Sequence, residues 1–290
     1  MPDASEQTIQ TLAARDGAAL PYRLFPAAGQ PRGALVYLHG IQSHGGWYVD
    51  TADEVARRGY SMYLTDRRGS GTSTEPRGYF QDREQLVGDV REFVDLARDE
   101  HPGLPIFLVG GCWGARPGVT FALEAQDELA GLILISPALA AKVDLTAPEK
   151  VKVIVGGTLR PRSKVRIPLS PELFTRNPKW LQFIREDPLV LHEVATSFFL
   201  KQALWDKWIA KQNGLRLPLL LLQSGRDEIV DVPKVRAWFE GQEAEDKRYV
   251  LYPEFDHLLD FEDERGRYWD DLVDWLNEHA PARTREGATA

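Results

Sequence analysis

The chain has 290 residues, 43% of them hydrophobic and 8 of them tryptophan, which suits one large domain or a domain with an insertion. Its formal net charge of -8 argues against nucleic acid as a partner. The single cysteine rules out an internal disulfide and is typical of a reducing compartment.

The first residues and the longest apolar runs indicate where the protein resides. Residues 1–6 are acidic and contain no apolar core, unlike a secretory signal. The apolar run at residues 219–222 is far too short to cross a bilayer. We therefore expect a cytoplasmic protein without stable membrane insertion, with a mobile end at residues 1–7 and a polar tail at residues 281–290.

Short apolar runs alternate with helical patterns along the chain. Asp16-Gly17 is a hairpin turn signal between residues 9–14 and 19–25. Buried strands are predicted at residues 34–38, 61–64, 105–109, 129–135, 217–223 and 248–252, and helices at 48–58, 82–98 and 268–278. This alternation predicts an α/β fold with a mostly parallel sheet flanked by helices on both faces.

Residues 138–214 interrupt the alternation. They contain several prolines and, towards their end, a helical stretch whose apolar residues cover more than one face. We predict that this segment is an inserted cap over the carboxyl edge of the sheet. The core domain would then consist of residues 1–137 and 215–290.

The stretch Gly110-Gly111-Cys112-Trp113-Gly114 follows a predicted strand and precedes a segment that can be helical. This layout is typical of a nucleophile elbow, whose tight turn needs small residues two places before and after the nucleophile. Cys112 is therefore predicted to attack as a thiolate, which a helix N-terminus and a histidinium partner favour. The alternative is a buried apolar cysteine, since free cysteine packs well.

Polar residues at the carboxyl ends of the strands indicate the partners of Cys112, because ligands of open α/β sheets bind at that edge. Asp227 and His257 follow the last two predicted strands. His257 would act as general base and acid, and Asp227 would orient its imidazole. Glu228 and Asp231 are the competitors for the acid role.

Five motifs in this order resemble the α/β-hydrolase superfamily and, within it, the monoacylglycerol lipase and lysophospholipase-like branch. The resemblance implies the α/β-hydrolase fold and a triad of Cys112, Asp227 and His257. By position, the backbone N–H groups of Ile41 and Trp113 would form the oxyanion hole. The motifs are residues 38–44 (LHGIQSH), 66–73 (DRRGSGTS), 110–114 (GGCWG), 223–231 (QSGRDEIVD) and 256–257 (DH).

Cysteine stands at residue 112 where this branch has serine. Dienelactone hydrolases also carry cysteine in such an elbow, although the other motifs resemble the lipase branch more closely. A serine replaced on purpose by cysteine is the other explanation that the sequence allows.

The function predicted from these residues is hydrolysis of a carboxylic ester or thioester through an acyl-cysteine intermediate. The partner would be a small-molecule acyl substrate, and neither a metal nor an organic cofactor is required. His44, Phe198, Trp205 and Trp208 are candidate substrate-binding residues, although the three aromatic ones could instead pack the cap on the core. Two other functions stay open: an acyltransferase that uses the same acyl-enzyme, and a non-catalytic binding protein.

Overall fold

The computed structural model describes residues 8–280, so the mobile end and the polar tail expected from the sequence lie outside the described residues. Ten strands occur in this part of the chain. In chain order they are β1 (Gln10–Ala13), β2 (Ala19–Phe25), β3 (Ala34–Leu38), β4 (Ser61–Thr65), β5 (Ile106–Gly111), β6 (Gly131–Ile135), β7 (Lys164–Arg166), β8 (Glu193–Ala195), β9 (Leu219–Ser224) and β10 (Lys247–Tyr252).

Eight of these strands form the central sheet, in the order β1-β2-β4-β3-β5-β6-β9-β10. β1 and β2 pair antiparallel, and β2 pairs antiparallel with β4, whereas every later pairing is parallel. All residues of β3, β5 and β6 are buried, as expected of parallel strands covered on both faces. The predicted α/β class with a mostly parallel sheet is confirmed.

Helices cover the sheet and connect its parallel strands. α1 contacts α8, and α2 contacts α3. α2 begins where the Asp82 side chain accepts a hydrogen bond from the Gln85 backbone N–H at 2.8 Å, which satisfies one of the free donors of its first turn. The eight α-helices of the described chain are α1 (Val49–Arg57), α2 (Arg83–Glu100), α3 (Ala115–Ala125), α4 (Ala147–Leu159), α5 (Pro178–Glu186), α6 (Thr196–Ile209), α7 (Val232–Glu240) and α8 (Gly266–His279).

The segment between β6 and β9 holds α4, α5, α6 and the antiparallel pair β7 and β8. α6 packs against both α4 and α3. Two polar contacts tie α6 to α3: the Trp205 indole N–H donates to Thr120 Oγ1 at 2.8 Å, and Arg116 pairs with Asp206. The additional segment is therefore anchored on the helix that follows Cys112. We use the name cap for residues 138–214, the bounds that the sequence predicts for this segment.

Several of these elements have no counterpart among the sequence-based predictions. α7 was not predicted, and neither were α4, α5, β7 and β8. In α4 the apolar side chains of Val151 and Leu159 are 61% and 75% exposed. Because this helix does not bury a single apolar stripe, it lacks the amphipathic pattern from which helices are read.

Candidate active site

Cys112 lies at the sharp turn between β5 and α3. Its φ of +48° falls in the left-handed region that side chains other than glycine rarely adopt. A Cβ added to Gly110 would lie 2.7 Å from Ala115 Cα, and one added to Gly114 would overlap the Leu38 carbonyl group. Both glycines are therefore required for the chain to turn this tightly, and the strained residue between them is the cysteine.

Asp227 and His257 are in direct contact at the carboxyl edge of the sheet. His257 Nδ1 lies 2.8 Å from Asp227 Oδ2, and both side chains are fully buried. The same carboxylate accepts hydrogen bonds from the Ser224 hydroxyl and from the backbone N–H groups of Ile229 and Val230, at 2.8–2.9 Å. These donors hold the carboxylate in one orientation, so that it can fix the ring of His257 in turn.

The ionisation of Cys112 and His257 is coupled. Burial disfavours the thiolate, but the neighbouring His257 charge, with help from Arg116, outweighs it, so the pKa of the Cys112 thiol lies below its ordinary value. Burial also disfavours the imidazolium, yet Asp227 and Cys112 together raise the pKa of His257 to about 10. The pair is thus favoured as thiolate and imidazolium, the reactive form of a nucleophilic cysteine.

The second ring nitrogen of His257 completes this arrangement. With Nδ1 directed to Asp227, Nε2 is the nitrogen left to interact with Cys112, which contributes to the raised pKa of the ring. This nitrogen is therefore the one that can exchange a proton with Cys112 or with a bound molecule.

The end of β6 supports the turn from the other side. Ser136 is the second non-glycine residue of the described chain with a left-handed backbone, at φ +40°. Its hydroxyl lies 3.2 Å from that of Ser224, which in turn donates to the carboxylate described above. The Ala138 backbone N–H donates to the carbonyl oxygen of Cys112 at 2.9 Å. The strained backbone at Ser136 therefore lies between two parts of the site, the loop that carries Asp227 and the turn at Cys112.

Two backbone N–H groups are candidates for an oxyanion hole. The N–H of Ile41 donates no hydrogen bond to any described residue, and Ile41 lines the same cavity as Cys112. Trp113 follows Cys112 directly and lies at the start of the helical turn. Gly40 allows the loop to approach closely, since a Cβ there would lie 3.4 Å from the Cys112 sulfur.

Arg67 braces the loop that carries the Ile41 N–H. Its guanidinium donates to the carbonyl oxygens of Gly40 and Ile41, each at 3.1 Å, and stacks 4.5 Å from the centre of the Trp113 ring. His39 accepts a hydrogen bond from the Arg67 backbone N–H at 2.9 Å, and burial lowers the pKa of this imidazole to about 3. The predictions from sequence did not include Arg67, although it lies in one of the recognised motifs.

A cavity opens at Cys112 between the sheet edge and the cap. Its wall is mostly apolar with a few polar groups, as is usual for small-molecule sites. From the core and the elbow it is lined by Ile41, Cys112, Trp113, Arg116 and Ile229, and from the cap by Ala138, Ala141, Val143, Ile167, Pro168, Leu169, Phe199 and Gln202.

The candidate binding residues Phe198 and Trp205 do not line this cavity. Both are buried, and both pack against Phe80 and the Trp113 ring. Trp205 also uses its indole N–H for Thr120. Both rings therefore pack α6 against the core. The neighbouring Phe199 lines the cavity instead.

Trp208 and His44 differ from the prediction in the same way. Trp208 lies under the guanidinium of Arg83, 4.5 Å from the ring centre, and is not part of the cavity wall. His44 Nε2 lies 2.9 Å from Asp187 Oδ2, and its Nδ1 accepts the Gly46 backbone N–H at 3.0 Å. Both ring nitrogens of His44 are therefore occupied, and its visible role is to join the core loop to the cap.

Residues 8–280 contain neither a metal-binding cluster nor a membrane-spanning helix. In this part of the chain no three or more histidine, cysteine or acidic side chains come together as a metal ion would require. Within the same range, none of the helices combines the length and apolarity needed to span a bilayer.

Three features together define an α/β-hydrolase. They are the parallel sheet, the strained residue after β5, and the paired acid and imidazole beyond β9 and β10. Residues 29–264 match the family model described as "Serine aminopeptidase, S33". The chain therefore belongs to this family of α/β-hydrolases. The description names serine, whereas the elbow of this chain holds cysteine.

Individual relatives agree with this assignment. A monoglyceride lipase homolog of Monkeypox virus is 31% identical over 209 residues, which cover 69% of this chain and 72% of the relative. The monoacylglycerol lipase of Mycolicibacterium smegmatis is 28% identical over 281 residues, covering 95% and 99%. The crystal structure of Paleococcus ferrophilus monoacylglycerol lipase has a TM-score of 0.80 at 25% identity, covering 90% of this chain and 99% of that chain.

Proposed function

We propose that the chain is a cysteine-dependent hydrolase of carboxylic esters or thioesters. The observation that carries the proposal is the contact of His257 with Asp227 beside a left-handed Cys112 whose thiol has a lowered pKa. The relatives named as monoacylglycerol lipases support an ester as the bond that is cleaved. Dependence on a free thiolate also supports a reducing compartment such as the cytoplasm.

In the first half of the reaction the Cys112 thiolate attacks the acyl carbonyl carbon and forms a C–S bond. The carbonyl oxygen takes the negative charge and is held by the N–H groups of Ile41 and Trp113. When the tetrahedral intermediate collapses, the bond to the leaving group breaks and His257 Nε2 supplies the proton that this group needs. The product of this half is an acyl-cysteine and a neutral imidazole.

In the second half, water attacks the acyl-cysteine and gives its proton to His257 Nε2. The oxyanion again forms at the two backbone donors, and its collapse breaks the C–S bond. The acid departs, and thiolate and imidazolium are restored. Asp227 stabilises the imidazolium at every stage at which it is present.

An acyl adduct on Cys112 is the direct test. The protein is mixed with short-chain thioesters and activated esters, quenched with acid, and its intact mass is measured. We expect an added mass equal to the acyl group, located on the Cys112 peptide and absent in Cys112→Ala. The absence of adduct and of turnover across neutral pH would contradict the enzyme and leave a binding protein.

Analysis of the released products separates hydrolysis from acyl transfer. An acyl-cysteine is open to attack by amines and thiols as well as by water. With a competing amine present, hydrolysis predicts free acid as the main product, whereas an amide in excess of the acid would identify an acyltransferase. Because the adduct is common to both, its detection alone does not distinguish them.

A further inference from the structure

Arg116 is a buried cation in the wall of the cavity at Cys112. Its side chain is 2% exposed, and two of its three nitrogens, Nε and Nη2, lie 2.6 and 3.2 Å from the carboxylate oxygens of Asp206. The third nitrogen, Nη1, is buried and has no hydrogen-bond partner among the described residues. A guanidinium donor left unpaired in this way forgoes the hydrogen bonds it had with water, unless a bound molecule supplies an acceptor.

The surroundings of Arg116 make it unusual within the cavity. Of the residues that line the cavity in the described chain, only Arg116 and Gln202 are polar. The Gln202 side-chain oxygen accepts the Trp113 indole N–H at 2.9 Å, while its amide nitrogen makes no hydrogen bond to a described residue. Two residues of the wall thus carry N–H donors that have no acceptor among the described residues, and apart from these two and Cys112 the wall is apolar.

The electrostatics of the wall favour a negatively charged acceptor over a neutral one. The Cys112 thiolate in the wall is balanced by the His257 imidazolium, and no carboxylate is among the residues that line the cavity in the described chain. The guanidinium groups of Arg67 and Arg116 lie 4.5 and 5.6 Å from the centre of the Trp113 ring. Asp206, which pairs with Arg116, is 30% exposed and therefore shares its charge with solvent. A planar guanidinium is also the side chain best matched to a carboxylate.

We propose that Arg116 and Gln202 form a subsite for a carboxylate, so that the substrates are esters or thioesters whose acyl chain ends in a second, ionised carboxyl group. Arg116 lies four residues after Cys112 in sequence, and both residues line the same cavity. A short acyl chain would therefore place the ester carbonyl at Cys112 and the second carboxylate at Arg116. The substrate class rests on the proposed function, whereas the binding subsite does not.

Binding without catalysis tests the subsite separately. In the Cys112→Ala background, monoethyl glutarate and ethyl pentanoate, which have acyl chains of equal carbon number, are titrated against tryptophan fluorescence. We expect the carboxylate-bearing ester to bind at least about tenfold tighter, and Arg116→Met to remove that preference, because a hydrogen bond to a charged group is worth about tenfold or more in affinity. Equal binding of the two esters would overturn the proposal, even if the protein hydrolyses both.

Turnover then measures the preference in the active protein. The ratio of kcat/KM for the monoethyl esters of succinic, glutaric and adipic acid to that for the neutral ethyl esters of equal length is compared between variants. Arg116→Met should lower this ratio about tenfold or more. Because any effect of Arg116 on the thiolate is shared by both esters, it cancels in the ratio. A loss that is equal for both classes would assign Arg116 to the thiolate alone and overturn the subsite.

Two further variants keep the test decisive if Arg116→Met folds poorly. Asp206→Asn leaves the guanidinium in place without its anionic partner and should increase the preference for the carboxylate ester. Arg91→Met is the matched control, because Arg91 also pairs with a carboxylate, Glu128, and stacks on the ring of Phe121 at 4.9 Å, yet does not line the cavity. In Arg91→Met the ratio of kcat/KM values should equal that of the parent protein. A lower ratio in Asp206→Asn would contradict the proposal.

Discussion

The carboxyl edge of the sheet and the cap contribute to one cavity in different ways. The edge presents groups with fixed geometry: a strained cysteine, a buried acid and imidazole pair, and a braced loop. The cap contributes mostly apolar wall, and its aromatic side chains are used largely for packing on the core. The edge therefore holds the reactive groups, whereas the cap supplies most of the wall around them.

The largest effect should come from replacing the sulfur at the edge. Cys112→Ala removes the nucleophile, and we expect kcat to fall on the order of 10⁴-fold or more, as when other covalent nucleophiles are removed. Alanine meets the same backbone requirement at φ +48° as cysteine does, so thermal unfolding should change little. Ester hydrolysis within tenfold of the parent rate would show that the reaction uses another group.

Asp227→Asn tests the orienting role of the acid. The amide cannot stabilise the imidazolium and favours the wrong ring tautomer, so we expect kcat to fall by about 10³- to 10⁴-fold. Asp231→Asn is the matched control, because Asp231 caps α7 through the Lys234 backbone N–H at 3.2 Å and is the competing acid nearby. If Asp231→Asn were the more damaging of the two, the acid would be misassigned.

The pH dependence tests whether thiolate and imidazolium work as a pair. Activity on an unactivated alkyl ester should fall as pH decreases through the lowered pKa of the Cys112 thiol, because the thiolate is lost. It should also fall as pH rises through the raised pKa of His257, near 10, because no proton remains for the leaving group. Each limb should approach tenfold per pH unit, measured as kcat/KM against pH.

A serine at position 112 provides the contrast for this profile. Serine needs a neutral imidazole as its base, so in Cys112→Ser the activity should increase with pH through the pKa of His257 instead of falling. The decline at high pH should therefore disappear in this variant. A profile of the same shape in both proteins would contradict the thiolate and imidazolium pair.

The edge could be predicted from the sequence because its geometry is imposed locally. Gly110 and Gly114 are required by close backbone contacts, and that requirement is visible as a spacing around Cys112. The parallel strands then bring Asp227 and His257 to the same edge without any further information. The sequence therefore predicts the structure best where the path of the backbone alone decides the position of a side chain.

The cap was less predictable because neighbouring residues on one helix face different surroundings. Phe198 packs on Phe80 with ring centres 5.0 Å apart, while Phe199 lines the cavity. Nothing in the sequence distinguishes these two, since the difference arises from how α6 lies on the core. The sequence does contain one signal for α4: Thr146 and Glu149 have capping-box spacing, and the Thr146 backbone N–H donates to Glu149 at 2.8 Å at the start of this helix.

The cap aromatic residues give the smallest effect and the finest test of the contrast between edge and cap. Phe199→Ala enlarges the cavity and removes apolar contacts with the acyl chain. It should therefore lower kcat/KM for longer acyl chains roughly tenfold, the scale on which a pocket distinguishes apolar groups. Trp208→Ala removes a larger, partly buried ring that lies against Arg83 outside the cavity, and we expect kcat/KM to stay within about twofold because the ring does not contact the substrate. The comparison uses a series of ethyl esters of increasing chain length. If Trp208→Ala changed chain-length preference more than Phe199→Ala did, the cap would contribute to substrate choice through packing instead of through the residues that line the cavity.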